Sequence, residues 1–125
     1  MQTRSQQYAQ AAFPAVQRRF PVPTQDLSKD QKEYRTIAKK FPALIHTCGL
    51  AQAVAFVEAK GHSDYLTDLE AVIQNARHAE IANEWSLAEL SRTNDLGPYM
   101  RLSRDAINAA SWLKRYVEAL AGEDE

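Results

Sequence analysis

Apolar residues recur every three to four positions along almost the whole chain, the spacing of one buried stripe on an α-helix. In the first segment Ala9, Ala12, Phe13, Val16 and Phe20 fall on one face, and Thr3-Arg4-Ser5-Gln6 reads as a capping box at its start. Pro14 stands inside that period. An interior proline costs about 3 kcal/mol, so a kink or a break is expected there. Pro21-Val22-Pro23 ends the element, and a loop is expected as far as Leu27.

Ser28-Lys29-Asp30-Gln31 is a second capping box, followed by Tyr34, Ile37, Ala38 and Phe41 on one face. Pro42 interrupts this stripe and suits the first position of a new helical turn, with Ala43-Leu44-Ile45 continuing toward a cap or bend at Gly49. Leu50, Ala53, Val54 and Val57 form the next stripe, closed by Gly61 as a C-cap. Ser63 then precedes Tyr65, Leu66, Leu69, Val72, Ile73 and Ala76.

Beyond Arg77 the period weakens. Ile81, Trp85, Leu87 and Leu90 suit a helix, whereas Thr93-Asn94-Asp95-Leu96-Gly97-Pro98 reads as a loop. The last stripe is the most regular: Ser103 as cap, then Ala106, Ala110, Leu113, Val117 and Leu120, with Gly122 ending it before Glu123-Asp124-Glu125. No alternating strand, internal repeat or low-complexity tract is visible. The expectation is an all-α fold: a single helical domain over residues 1–125, a compact bundle of about five or six helices.

Composition narrows the class. A chain of 125 residues makes one domain and buries roughly two thirds of its unfolded surface. Its 45% hydrophobic and 25% charged residues are globular values, which argues against disorder. A single cysteine, Cys48, excludes an internal disulfide and any multi-cysteine zinc site. No apolar run approaches the roughly 18 residues of a membrane span, and no apolar stretch follows the opening Met1-Gln2-Thr3-Arg4-Ser5-Gln6-Gln7. A soluble, cytoplasmic protein without a secretion signal or membrane partner is expected.

The net charge of −1 hides an asymmetry. Residues 1–40 carry eight Lys/Arg against three acids, a balance of +5, and residues 41–125 carry seven against thirteen, a balance of −6. Two partner surfaces, one for a polyanion and one for protein, would explain this; so would solvated helix faces with uneven local charge.

Catalytic chemistry finds little support. Cys48 and His46 stand two apart and diverge on a helix, and no base or orienting group is identifiable for a thiol nucleophile. Asp64/Asp68 and Glu80/Glu84 are carboxylate pairs at i, i+4, but the Glu-x-x-His and His-Glu-x-x-His patterns of helical metal sites are absent, so exposed polar faces are the expectation. None of His46, His62 and His78 has an arginine four to six intervening residues before it, as small helical ribonucleases require. The four glycines are isolated, which excludes a glycine-rich phosphate loop. No catalytic residue, metal, cofactor or small-molecule substrate is assigned, and the chain is expected not to be an enzyme.

The basic residues form a more coherent pattern. Arg4 and Arg18 lie opposite the first apolar stripe, Lys29, Lys32, Lys39 and Lys40 opposite Tyr34 and Phe41, and Arg104 and Arg115, with Lys114 adjoining, share a face three turns apart. Antiparallel packing of these elements would merge the rows into a surface that grips phosphates without reading sequence.

Three stretches carry a resemblance. They are Thr3-Arg4-Ser5-Gln6-Gln7-Tyr8-Ala9; Tyr34-Arg35-Thr36-Ile37-Ala38-Lys39-Lys40-Phe41-Pro42-Ala43-Leu44-Ile45 through Gly49-Leu50 to Ala55-Phe56; and Ser103-Arg104-Asp105-Ala106 with Trp112-Leu113-Lys114-Arg115-Tyr116. In this order and at this length the chain resembles the small α-helical subunit of the type III-B (Cmr) CRISPR effector complex. It departs at Cys48, where the family tends to have Asn, and at Pro14, where the family's first helix runs on.

The resemblance implies a non-catalytic RNA-binding subunit of an antiviral ribonucleoprotein. Such a subunit stacks with copies of itself as a minor filament, beside the other Cmr-type effector subunits, along the guide RNA and target RNA. By position it carries over Arg4, Lys39, Lys40, Lys114 and Arg115 as RNA-contacting residues; helical geometry adds Arg18, Arg19 and Arg104. Tyr34, Phe41, Leu44, Ile45, Leu50, Phe56, Trp112 and Leu113 are expected in the core. The alternative is a helical protein–protein adaptor without nucleic-acid binding.

Overall fold

Both expected capping boxes form. In the computed structural model, which describes residues 3–21, 26–77, 87–93 and 96–121, the Gln6 N–H donates to Thr3 Oγ1 at 3.1 Å and the Thr3 N–H donates to Gln6 Oε1 at 2.8 Å. Ser28 and Gln31 make the same reciprocal pair at 3.1 and 2.9 Å. They open α1 (Arg4–Arg19) and α2 (Lys29–Cys48), which are followed by α3 (Leu50–Ala59), α4 (Ser63–Arg77), α5 (Leu87–Thr93) and α6 (Leu96–Ala121). The fold is all-α, and no strand occurs among the described residues.

The interior prolines do not divide their helices, contrary to the break considered at Pro14 and the restart at Pro42. Pro14 is exposed beside the exposed Gln10, whose carbonyl loses a donor on the solvent side. Packing outweighs the loss. Tyr8, Val16 and Phe20 beside α1, and Tyr34, Ile37, Phe41 and Ile45 along α2, are buried. Side chains of this kind contribute about 1.5–3 kcal/mol each, against about 3 kcal/mol for a proline.

The first stripe is also rotated from its expected place: Tyr8 and Ala15 are buried, Ala9 is half-buried, and Phe13 is exposed. The last helix begins at Leu96, so Ser103 lies inside it rather than at its cap. Gly97 and Pro98 occupy its first turn, where backbone N–H groups have no intrahelical partner and a proline loses nothing. The expectations placed on Val22–Gln25, His78–Ser86, Asn94-Asp95 and Gly122–Glu125 lie outside the described residues.

Two glycines make the turns of the central hairpins. Gly49 holds φ +85° between α2 and α3, and the Ala51 N–H, an orphan donor of the α3 start, is met by the Tyr99 hydroxyl at 3.1 Å. Gly61, at φ +81°, closes α3 in a Schellman motif: its N–H donates to the Glu58 carbonyl and that of His62 to Val57.

Helix α6, 26 residues or about 39 Å long, is the spine of the bundle. The Arg35 guanidinium donates to the Ala121 carbonyl, and Tyr99 reaches Ala51, so α2 runs antiparallel to α6. On its other flank Tyr8 meets Asp105 and Phe13 meets Tyr116, so α1 runs in the same sense as α6. The three basic helices are therefore not mutually antiparallel. Helix α4 closes the core with Tyr65, Leu69, Val72 and Ile73 against Phe41 and Leu113. No described helix is long and apolar enough to cross a membrane.

Candidate nucleic-acid interface

One expected phosphate ligand has an internal partner. Arg19, at the end of α1, donates through Nε and Nη2 to the two carboxylate oxygens of Asp68 at 2.9 and 3.3 Å. Its guanidinium lies 5.3 Å from the centre of the Tyr34 ring, and the Tyr34 hydroxyl donates to the same carboxylate at 2.6 Å. Asp64 is 4.0 Å from Arg19 Nη1.

Asp68 is only 4% exposed, which corrects its reading as part of an exposed polar face. A carboxylate removed from water requires such partners, and this chain supplies a cation and a phenol from two other helices. The hydrogen bond to Asp68 raises the Arg19 pKa above its ordinary value, and burial first, then the Asp68 charge, pushes the Tyr34 phenol up. The Glu80/Glu84 pair lies outside the described residues. No group of three or more His, Cys, Asp or Glu able to hold a metal occurs among the described residues.

The other seven candidates occupy several surfaces. Arg4 is exposed but stands 3.6 Å from the buried Asp105, which also accepts from the Tyr8 hydroxyl. Arg18 lines a groove between α1 and α4 with Gln7, Gln10 and Asn75. Lys40 lines a different groove, between α2 and α3. Lys39 and Lys114 are half-buried, and the antiparallel register of α2 and α6 brings them level along one seam. Arg104 and Arg115 are exposed on the outer side of α6, opposite Ala106, Ala110, Leu113 and Val117.

Lys39, Arg104, Lys114 and Arg115 are thus the candidates carried by the sides of α2 and α6 that face away from the core, the α2–α6 surface. Lys39, Arg104 and Lys114 have no carboxylate at ion-pair distance among the described residues. Arg115 lies 5.0 Å from the Trp112 ring centre. Cations without protein partners keep their full charge for a polyanion, unlike Arg19.

Two features escaped the sequence reading. Trp112 stacks on Tyr116, 5.7 Å between ring centres, and Tyr116 meets Phe13 edge-on at 5.2 Å, so the α1–α6 flank carries an aromatic row ending in Arg115. Phe56 is 42% exposed rather than in the core, with the Lys60 ammonium 5.4 Å from its ring centre. The signal was present, because Phe56 lies off the face shared by Leu50, Ala53, Val54 and Val57.

Known proteins match the chain from end to end. The family model described as CRISPR-associated protein (Cas_Cmr5) matches residues 4–120. A Thermus thermophilus protein named CRISPR system Cmr subunit Cmr5 is 36% identical over 126 residues, covering 98% of this chain and 100% of that one. The X-ray crystal structure of a CRISPR-associated Cmr5 family protein, also from Thermus thermophilus, aligns with a TM-score of 0.76 at 35% identity, covering 95% of this chain and 98% of the other. The match takes in the capped α1, the α2–α3 hairpin and the spine helix α6 together, and this chain belongs to the Cmr5 family of CRISPR-associated proteins.

Proposed function

We propose that the protein is a non-catalytic subunit of a type III-B (Cmr) CRISPR ribonucleoprotein acting in antiviral defence. In this reading it works in the cytoplasm, stacks with further copies of itself as a minor filament beside the other Cmr-type subunits, and touches the guide RNA and target RNA backbone through the α2–α6 surface. The observation that carries the reading is the end-to-end match to a chain named as a Cmr subunit. The grouping of Lys39, Arg104, Lys114 and Arg115 supports an RNA contact, because phosphate contacts need cations and no sequence-reading groups.

Purification of the tagged protein from its host at low salt, with identification of co-purifying proteins and sequencing of bound RNA, tests the assembly. Larger Cmr-type subunits and short guide RNAs are expected; the protein alone, from cells expressing those subunits, would refute it. For the RNA contact, neutralising four phosphates of a single strand gives log K a slope of about −3 against log salt. Replacing the four cations by glutamine should flatten that slope.

The adaptor reading without RNA is favoured by one feature, the aromatic row Phe13, Tyr116 and Trp112 with Arg115, a composition typical of protein interface anchors. Salt-sensitive self-association with no RNA affinity would select it.

A further inference from the structure

The groove between α2 and α3 differs in charge from two other grooves of the described residues. The α1–α4 groove is lined by amides and small residues around Arg18, and the cleft at Arg19 balances two arginines against Asp30 and Asp64. The α2–α3 groove, of about 300 Å3, is lined by Lys32, Lys40 and Lys60 against the single carboxylate Glu33, together with His62. None of the three ammonium groups has a carboxylate at ion-pair distance among the described residues. The side chains of Ile37 and Phe56 supply its apolar surface.

An exposed aromatic ring among cations that have no carboxylate partner is a composition that binds one unpaired nucleotide: the ring stacks on the base through the face that Lys60 does not cover, and the ammonium groups meet the flanking phosphates. The volume suits a single base with its ribose. A duplex gives such a groove nothing to stack, because its bases already stack on one another.

We infer that the α2–α3 groove holds one unpaired nucleotide of a single-stranded RNA, with its base on Phe56 and its phosphates on Lys32, Lys40 and Lys60. This rests on the RNA-contacting reading of the chain, but it uses a groove whose lining includes none of Lys39, Arg104, Lys114 and Arg115. Lys40 therefore belongs to a single-strand contact and Lys39 to a backbone contact, although the two are neighbours in sequence.

The test uses the full chain with a labelled oligouridine and, separately, a labelled RNA duplex, followed by fluorescence anisotropy at low salt. Phe56→Ala should weaken oligouridine binding about tenfold and leave duplex binding unchanged, with helicity by circular dichroism confirming the fold. Phe56→Tyr, which keeps the ring, should retain wild-type affinity. Unchanged oligouridine affinity in Phe56→Ala, with duplex still bound, would overturn this inference alone. Wild-type protein that binds neither RNA would overturn the RNA-contacting reading as well. An oligoglutamate peptide that binds in a Phe56-dependent way, while oligouridine does not compete, would assign the groove to an acidic protein segment and overturn the nucleotide.

Discussion

Arg19 and the four α2–α6 cations look alike in sequence but should fail in different ways. Arg19→Met keeps the apolar stem and removes the guanidinium, leaving a carboxylate whose side chain is 6% exposed with Tyr34 as its donor. The bond at 2.9 Å is well formed and the one at 3.3 Å is longer. A charged hydrogen bond contributes about 1.5–3 kcal/mol. Because the Arg19 side chain is 37% exposed, solvent screening holds the expected loss to about 2 kcal/mol. For a chain of 125 residues, unfolding entropy converts this to a Tm about 8 °C lower.

Differential scanning calorimetry at neutral pH reads the stability, and anisotropy against salt reads the RNA contact. Arg19→Met should lose Tm and keep the wild-type salt slope. Replacing Lys39, Arg104, Lys114 and Arg115 together by glutamine should do the reverse: a flatter slope, with Tm changed by only a few degrees. An Arg19→Met protein with unchanged Tm and a flattened slope would refute the assignment of this guanidinium to Asp68 and return Arg19 to the RNA surface.

The Tyr65 hydroxyl is fully buried with no hydrogen-bond partner among the described residues, and burial pushes its pKa up; Tyr65→Phe should raise stability by about 1 kcal/mol, read as a higher urea midpoint, and a lower one would mean the hydroxyl has a partner. Gly49→Ala forces a side chain onto φ +85° and should lower stability by about 1–3 kcal/mol in the same assay, an unchanged midpoint arguing against this turn. Glu70 links α4 to α5 by accepting from the Leu87 N–H at 2.8 Å, and burial raises its pKa despite that bond. The folded state therefore holds the Glu70 proton to higher pH than the unfolded chain, so its contribution weakens as pH rises through and just above the ordinary carboxylate range. Glu70→Gln, which keeps an acceptor without charge, should flatten that part of the stability–pH curve; identical curves would count against it.

The elements were legible wherever local chemistry determines them. Thr3/Gln6 and Ser28/Gln31 cap helices through bonds three residues apart, and Gly49 and Gly61 turn the chain with a conformation other residues adopt at a penalty. The reading failed where distant packing overrides a local penalty. Pro14 and Pro42 look like breaks until the buried faces of α1 and α2 are weighed against them, and Gly97-Pro98 looks like a loop until α6 begins one residue earlier.

The site shows the same division more sharply. Periodicity alone determined that this chain is helical, with Tyr34, Phe41 and Leu113 inward and most of its Lys and Arg outward, because water sorts side chains by polarity along each helix. Which cations remain available to a partner was decided only by the tertiary structure. Arg19 and Asp68 are 49 residues apart in sequence and form a partly buried pair, while of the adjacent Lys39 and Lys40 only Lys40 lines the α2–α3 groove. Charge is a property of a residue, but an unpaired charge depends on every helix packed around it.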